Sequence, residues 1–267
     1  MRASKVKNLA LIILALLNVV LLCLVIPMRL EQHRQDQRTA KELERLFAQA
    51  EVQLPGELPE SQPLHALEAT LDTDAAQTAA QAILGGDAEA ERESYFLSYR
   101  SEAGSCQIRR SHLQAELAGR TLSGSKKTAV RRLYEQMGLS GSVVAEQENG
   151  VTVRQSILGV DVFSAQLSFT FDGEQLTAVR GTFCPVEGTL TALGKETGIG
   201  CADALVAFLN ARGETGWVGA RVISAKQGYV LADSASAAKL RLNPVWRLET
   251  DTGVYYVNAL TGEVFQD

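Results

Sequence analysis

Residues 125–183, SKKTAVRRLYEQMGLSGSVVAEQENGVTVRQSILGVDVFSAQLSFTFDGEQLTAVRGTF, decide the architecture. Ser125 is placed to cap a helix over Lys126–Met137, where Ala129, Val130, Leu133 and Met137 recur at helical spacing and Gly138 supplies the stop. Four strand-like segments follow: Val143–Gln147, Val151–Ile157, Val160–Phe171 and Gln175–Phe183. Asn149-Gly150 joins the first two and Asp172-Gly173 the last two, both strong hairpin signals. In the third segment Val162, Ala165, Leu167, Phe169 and Phe171 fall mostly two apart, which gives one buried and one wet face. A helix followed by such strands predicts one helix laid across an antiparallel sheet, an α+β arrangement.

The pattern partly recurs downstream. Cys201–Ala211 reads as a helix with Ala204, Leu205, Phe208 and Leu209 on one side, ended by Arg212-Gly213. Strands are predicted at Ala220–Ala225, Gly228–Leu231, Pro244–Thr250 and Gly253–Asn258, with Glu263–Phe265 closing the chain. Upstream, 73–84 is a short helix that Thr73 or Asp74 could cap and that Gly85-Gly86 ends. Tyr95–Arg100 and Cys106–Leu113 then form a strand pair around a turn at Glu102–Ser105. The expected fold is α+β, with tandem units of one helix packed on an antiparallel sheet at 121–190 and 191–267, preceded by a first segment at 64–120.

Before these lies Leu9–Ile26, LALIILALLNVVLLCLVI, eighteen residues without a charge. As a helix it would reach about 27 Å, enough for a hydrocarbon core. Arg2, Lys5 and Lys7 precede it, favouring a cytoplasmic tail at 1–8 and an uncleaved transmembrane signal anchor at 9–26. The competing reading, a cleaved signal peptide, lacks a small-x-small site, and Leu22 before Cys23 does not suit lipoprotein processing. On the anchor reading the protein is single-pass in the cell membrane, with everything from Pro27 onward outside the cytoplasm. Residues 27–63 form a stalk helix and linker. Ala40, Leu43, Phe47, Ala50 and Leu54 step by three and four, so the helix is either a solvated stalk or a short pairing seam. Pro55-Gly56, Pro59 and Pro63 mark its end.

From Leu30 onward 22 basic residues stand against 31 acidic ones, a net charge of −9. Such a body repels phosphate backbones, which argues against nucleic acid as a partner. Three cysteines lie outside the apolar segment: Cys106, Cys184 and Cys201. They are either buried free thiols or include one bridge, Cys184 to Cys201.

Catalytic and metal chemistry find little support. His33, His65 and His112 are scattered and match no zinc spacing. The glycine-rich 194–200 places Asp203 where a dinucleotide fingerprint needs its third glycine, and Gly119–Lys126 inserts Ser125 into a phosphate-loop pattern. Ser123-x-x-Lys126 matches a penicillin-binding nucleophile pattern, but the partner Lys-Thr-Gly is interrupted at Lys195-Glu196-Thr197-Gly198. No catalytic residue, metal ligand or cofactor is therefore assigned, and a binding role is expected rather than an enzyme.

The run Asn243-Pro-Val-Trp-Arg-Leu-Glu-Thr-Asp-Thr-Gly-Val-Tyr-Tyr-Val-Asn-Ala-Leu-Thr-Gly-Glu-Val264 resembles the end of a YycI-type protein, as does Ser156-Ile-Leu-Gly-Val-Asp-Val-Phe-Ser-Ala-Gln-Leu-Ser-Phe169. With the N-terminal apolar segment, the layout resembles the YycH/YycI family of two-component-system regulatory proteins, and the helix-and-strand units resemble PepSY-type modules. The resemblance implies a Gram-positive, single-pass, non-enzymatic regulator. It would modulate a membrane sensor histidine kinase controlling cell-wall homeostasis, beside a sister YycH-type regulator. The alternative is a PepSY-type module that restrains an extracytoplasmic peptidase or binds a wall ligand. Candidate partner-binding residues are Asn18, which could hydrogen-bond to another helix or be a tolerated amide in the bilayer, and Trp246, Tyr255 and Tyr256. Strand alternation puts Tyr255 and Tyr256 on opposite faces, so one of them should be core.

Overall fold

The computed structural model describes residues 39–56, 58–86, 88–93, 96–186, 190–232, 234, 236 and 238–266. The apolar segment Leu9–Ile26, with Asn18 and the tail before it, lies outside them; among the described residues no helix is long and apolar enough to cross a membrane.

Two compact units divide the chain. The smaller holds the described residues up to Leu54 together with Gly219–Arg221. Its helix α1 (39–49) buries Leu43 and Phe47, so the helix is not solvated all round, and Glu51 turns the chain away at φ +58°. Gln53 then bridges to Arg221: its N–H donates to the Ala220 carbonyl at 2.8 Å, and Arg221 Nε donates to Gln53 Oε1 at 3.0 Å.

The larger unit is built from three successive helix-then-meander segments. The first is α2 (Thr73–Leu84) followed by β2 (Glu89–Glu93), β3 (Phe96–Ser101), β4 (Gly104–Arg109) and β5 (His112–Thr121); β1 (Ala66–Thr70) precedes it. The second is α3 (Lys126–Gln136) with β6 (Gly141–Gln147), β7 (Gly150–Ile157), β8 (Val160–Asp172) and β9 (Gln175–Thr182). A short β10 (Thr191–Leu193) leads to the third: α4 (Cys201–Asn210), α5 (Arg212–Thr215), β11 (Val222–Ala232), β12 (Lys239–Thr250), β13 (Val254–Asn258) and β14 (Val264–Gln266). The class is α+β, with the described strands joined in one large, mostly antiparallel sheet.

The first two segments share a continuous antiparallel sheet in the order β2-β3-β4-β5-β9-β8-β7-β6. Their last strands meet, with His112 opposite Thr182 and Thr121 opposite Gln175. Antiparallel pairing of corresponding strands relates the two segments by an approximate two-fold axis. The apolar stripes of both helices enter one core. Ala76, Ala80 and Ile83 of α2, Val130 and Leu133 of α3 and Met137 at the end of α3 pack with Ile108, Leu167, Phe169 and Val179 of the sheet. A helix cannot cover so wide a sheet alone, and two side by side do so here.

Helix ends follow their side chains. Ser125 caps α3, accepting from the Thr128 N–H at 3.4 Å. At α2 the cap is Asp72, not Thr73 or Asp74: its carboxylate accepts from the Asp74 and Ala75 N–H groups at 2.7 and 3.2 Å. Gly85 closes that helix at φ +86°, and the Arg120 guanidinium reaches over from β5 to the Ala82 and Ile83 carbonyls, which have no helical partner. Two further expectations are corrected. The segment beginning at Cys106 is not one return strand but β4 and β5, turned at Arg110-Ser111 without a glycine, with Arg110 at φ +56°. And the strands expected at Ala220–Ala225 and Gly228–Leu231 are one: β11 runs on through Lys226 and Gln227.

Strand β8 ties the sheet together. Arg154 lies opposite Gln166 and Ser156 opposite Asp161, so one residue of β7 faces four of β8 between those points. This stretch, residues 162–165, carries β8 across to β11, where Val162 pairs in parallel with Tyr229 and Ser164 Oγ accepts from the Leu231 N–H at 2.7 Å. Gly228 permits the approach.

Candidate functional site

Two faces of the third meander have different fates. On one, α4 covers Tyr255, whose ring centroid lies 5.1 Å from that of Phe208, and Phe208 in turn lies 4.7 Å from Trp217. Trp246 is fully buried, and its indole N–H donates to the Ile199 carbonyl at 2.9 Å. The loop bearing Ile199 is the glycine-rich 194–200. Its backbone is taken up by the fold: the Gly198 N–H donates to Leu64 and the Ile199 N–H to Ala259, both at 2.8 Å. Gly198 sits so close to Ala259 that a Cβ would be 2.7 Å from the alanine methyl. That loop is a strap ending in the α4 cap at Gly200.

On the opposite face lies a run of rings. The Arg154 guanidinium sits 5.3 Å from the Phe163 ring centroid, Phe163 lies 6.0 Å from Tyr256, and Tyr256 stacks on Phe265 at 5.5 Å with 21° between planes. Phe163 and Tyr256 are buried with Val245, while Phe265 is only partly covered. Asp161 anchors the charged end, 2.7 Å from Lys226 Nζ and 3.8 Å from Arg154 Nη1. Its carboxylate and the Arg154 side chain are 13 % and 15 % exposed, so this pair is shielded, whereas Lys226 reaches solvent.

At the other end of the run a groove of about 260 Å³ opens beside Tyr256 and Phe265. Its polar groups are Ser164, Asn243, Asn258 and Glu263, and β11 from Val230 to Ala232 forms one wall. Asn243 Oδ1 accepts from Arg241 Nε at 2.8 Å, and Asn258 Oδ1 accepts from the Leu260 and Thr261 N–H groups at 2.9 and 3.3 Å. Both amides are thereby oriented, with their oxygens already engaged. Aromatic surface beside a few fixed polar groups suits a small polar ligand with one flat apolar face.

The sequence-proposed binding residues thus separate. Asn18 lies outside the described residues. Trp246 and Tyr255 are packed beneath α4, and Tyr256, on the other face, is one of the rings beside the groove. Sequence reading missed Phe163, Phe265, Asn243 and Asn258 as a group, because they come from four different strands, β8, β14, β12 and β13. The one available signal was Gly228, a glycine inside a strand, which marks close approach of another backbone.

Elsewhere the candidate chemistry is absorbed by the fold. Lys126 Nζ donates to the Glu148 carbonyl and lies 5.7 Å from the Phe171 ring centroid. His65 Nδ1 lies 2.9 Å from the Glu196 carbonyl and His112 Nδ1 lies 3.2 Å from Thr182 Oγ1. Cys106, Cys184 and Cys201 are free and buried, and burial pushes each thiol up to about 12. Among the described residues no cluster of His, Cys, Asp and Glu could hold a metal.

No family model matches the chain, and no curated protein matches it. Among solved structures it is similar to the crystal structure of YycH from Bacillus subtilis, with a TM-score of 0.42 and 9 % identity. The alignment covers 75 % of this chain and 52 % of that one, so the chain spans about half the length of the structure it matches. A likeness of this degree leaves the fold defined by the chain's own strand order.

Proposed function

We propose that the protein is a membrane-tethered, non-enzymatic regulator that acts by contact on a sensor histidine kinase outside the cytoplasm, beside a sister YycH-type regulator. One observation supports this reading above others. The two stretches that carry the family resemblance, 156–169 and 243–264, are far apart in sequence yet meet in space, with Phe163 of the first 6.0 Å from Tyr256 of the second. What resembles the family is therefore one contiguous piece of the fold. The apolar Leu9–Ile26 supplies the tether in this reading. Affinity capture of the full chain from membranes in mild detergent should recover a histidine kinase, and capture that repeatedly yields none would dispose of it.

The groove favours a second reading, a module that binds a wall ligand. Its ring stack and oriented amides suit a saccharide ring. Titration of the full chain with soluble wall saccharides should give saturable binding that Phe265→Ala removes. Binding unchanged in that variant would rule the groove out.

A further inference from the structure

The groove beside Tyr256 and Phe265 presents a one-sided set of polar groups. Three neutral members have their oxygens engaged by the fold. Asn243 Oδ1 accepts from Arg241, Asn258 Oδ1 from the Leu260 and Thr261 N–H groups, and Ser164 Oγ from the Leu231 N–H. What each offers a ligand is a donor: the Nδ2–H groups of the two asparagines and the Ser164 hydroxyl hydrogen. The charged acceptor in the lining is the Glu263 carboxylate.

Glu263 has no ion-pair partner among the described residues. Two residues on, Phe265 stacks one ring face on Tyr256 and is only half-buried, and it lines the same groove. An unpaired carboxylate beside an open aromatic face suits a cation. Arg241, the base bonded to the lining, stands elsewhere. It lies opposite Ala232 on β12, whereas Glu263 precedes β14, two strands away. The two ends of the groove therefore differ, with donors toward Arg241 and negative charge toward β14. A net charge of −9 from Leu30 onward also disfavours an anionic ligand. A volume of about 260 Å³ holds one ring-sized unit.

We propose that the groove holds a hexosamine unit with a free amine. Its ammonium sits at Glu263 and the Phe265 ring, while its hydroxyl and ring oxygens accept from Asn243, Asn258 and Ser164. The proposal rests on the wall-ligand reading of the groove and adds which sugar it prefers. An N-acetylated unit brings no positive charge for Glu263 to meet.

The test is calorimetric titration of the full chain in mild detergent, at pH 6, where the sugar amine is protonated. The ligands are β-1,4-linked glucosamine trimer, its fully N-acetylated counterpart, and trilysine as a cation of equal charge. The free-amine trimer should bind about tenfold more tightly than the other two. Glu263→Gln should bring the two saccharides to within about twofold of each other. Glu174→Gln, at the exposed β8–β9 turn outside the lining, makes the same charge change and should leave the preference intact. Equal affinity for the two saccharides, a preference that survives Glu263→Gln, or trilysine binding as well as the free-amine trimer would each overturn the proposal. If the N-acetylated trimer still bound and Phe265→Ala removed that binding, the wall-ligand reading would stand without it. Binding of neither saccharide at millimolar concentration would overturn both.

Discussion

A Cβ placed on Gly228 would stand 2.5 Å from Cε2 of Phe163. The same Cβ would lie 2.6 Å from the Asp161 carbonyl oxygen, so turning the Phe163 ring aside would not make room. Two strands from different meanders approach here as closely as their backbones allow, and Phe163 lies over the gap a side chain would fill.

Gly228→Ala should therefore destabilise the protein by about 1–3 kcal/mol, the usual range for overpacking a core. The denaturant midpoint should fall. Because the strain lies where β8 meets β11, hydrogen exchange at Tyr229 and Leu231 should accelerate more than at Leu113 or Val179. Uniform acceleration would mean that the contact is not local in its effect.

Gln155 is a buried clasp. Its Oε1 accepts from the Cys184 N–H at 2.7 Å and its Nε2 donates to the Cys184 carbonyl at 3.1 Å, holding the chain as it leaves β9. Gln155→Leu keeps the approximate volume and strands the Cys184 N–H, while the carbonyl keeps its bond from the Val186 N–H at 2.9 Å; the loss should be about 1–3 kcal/mol. A urea titration that shows a loss below about 0.5 kcal/mol would indicate that water replaces the amide.

The β7–β8 turn carries Leu158 and Gly159 at φ +52° and +79°, the positive pair typical of a type I′ turn. Leucine is poorly suited to that region, and its side chain is 76 % exposed, so no packing compensates. Leu158→Asn should stabilise the protein by about 0.5–1 kcal/mol, read as a higher urea midpoint. A lower midpoint would show that the leucine is held by a contact in solution.

The thiols give a pH dependence with a definite sign. Burial raises Cys106, Cys184 and Cys201 from the ordinary thiol range to about 12 in the fold. Desolvation also raises Tyr134 and Tyr229. The folded state then holds more protons than the unfolded state above the unfolded thiol range. This contribution is complete below about pH 9 and is lost as pH climbs toward 12. Denaturant midpoints should be level from pH 7 to 8.5 and fall steadily from pH 9 to 11. A thiol reagent at pH 8 should label none of the three until the chain is unfolded.

Legibility in the sequence tracked the strength of local signals. The second segment was readable almost residue by residue, because Ser125, Gly138, Asn149-Gly150 and Gly173 punctuate an alternating pattern. The first was hidden by the same logic. EAERE in β2 has no apolar alternation, and the turn at Arg110-Ser111 has no glycine, so a four-strand meander looked like one hairpin. The groove was less legible still. Its ring stack depends on three surplus residues in β8 and on which strands meet, which are properties of tertiary pairing rather than of any local pattern.

The meeting of β5 with β9 has a consequence for how the molecule would come apart. Each half-sheet finishes on the other's final strand, and both helices share one apolar interior. A protease that nicked the linker Leu122–Ser125 would sever the backbone without parting the pieces. The fragments on either side should stay clasped through a gel-filtration column, melt together, and reassemble when mixed after separation in denaturant.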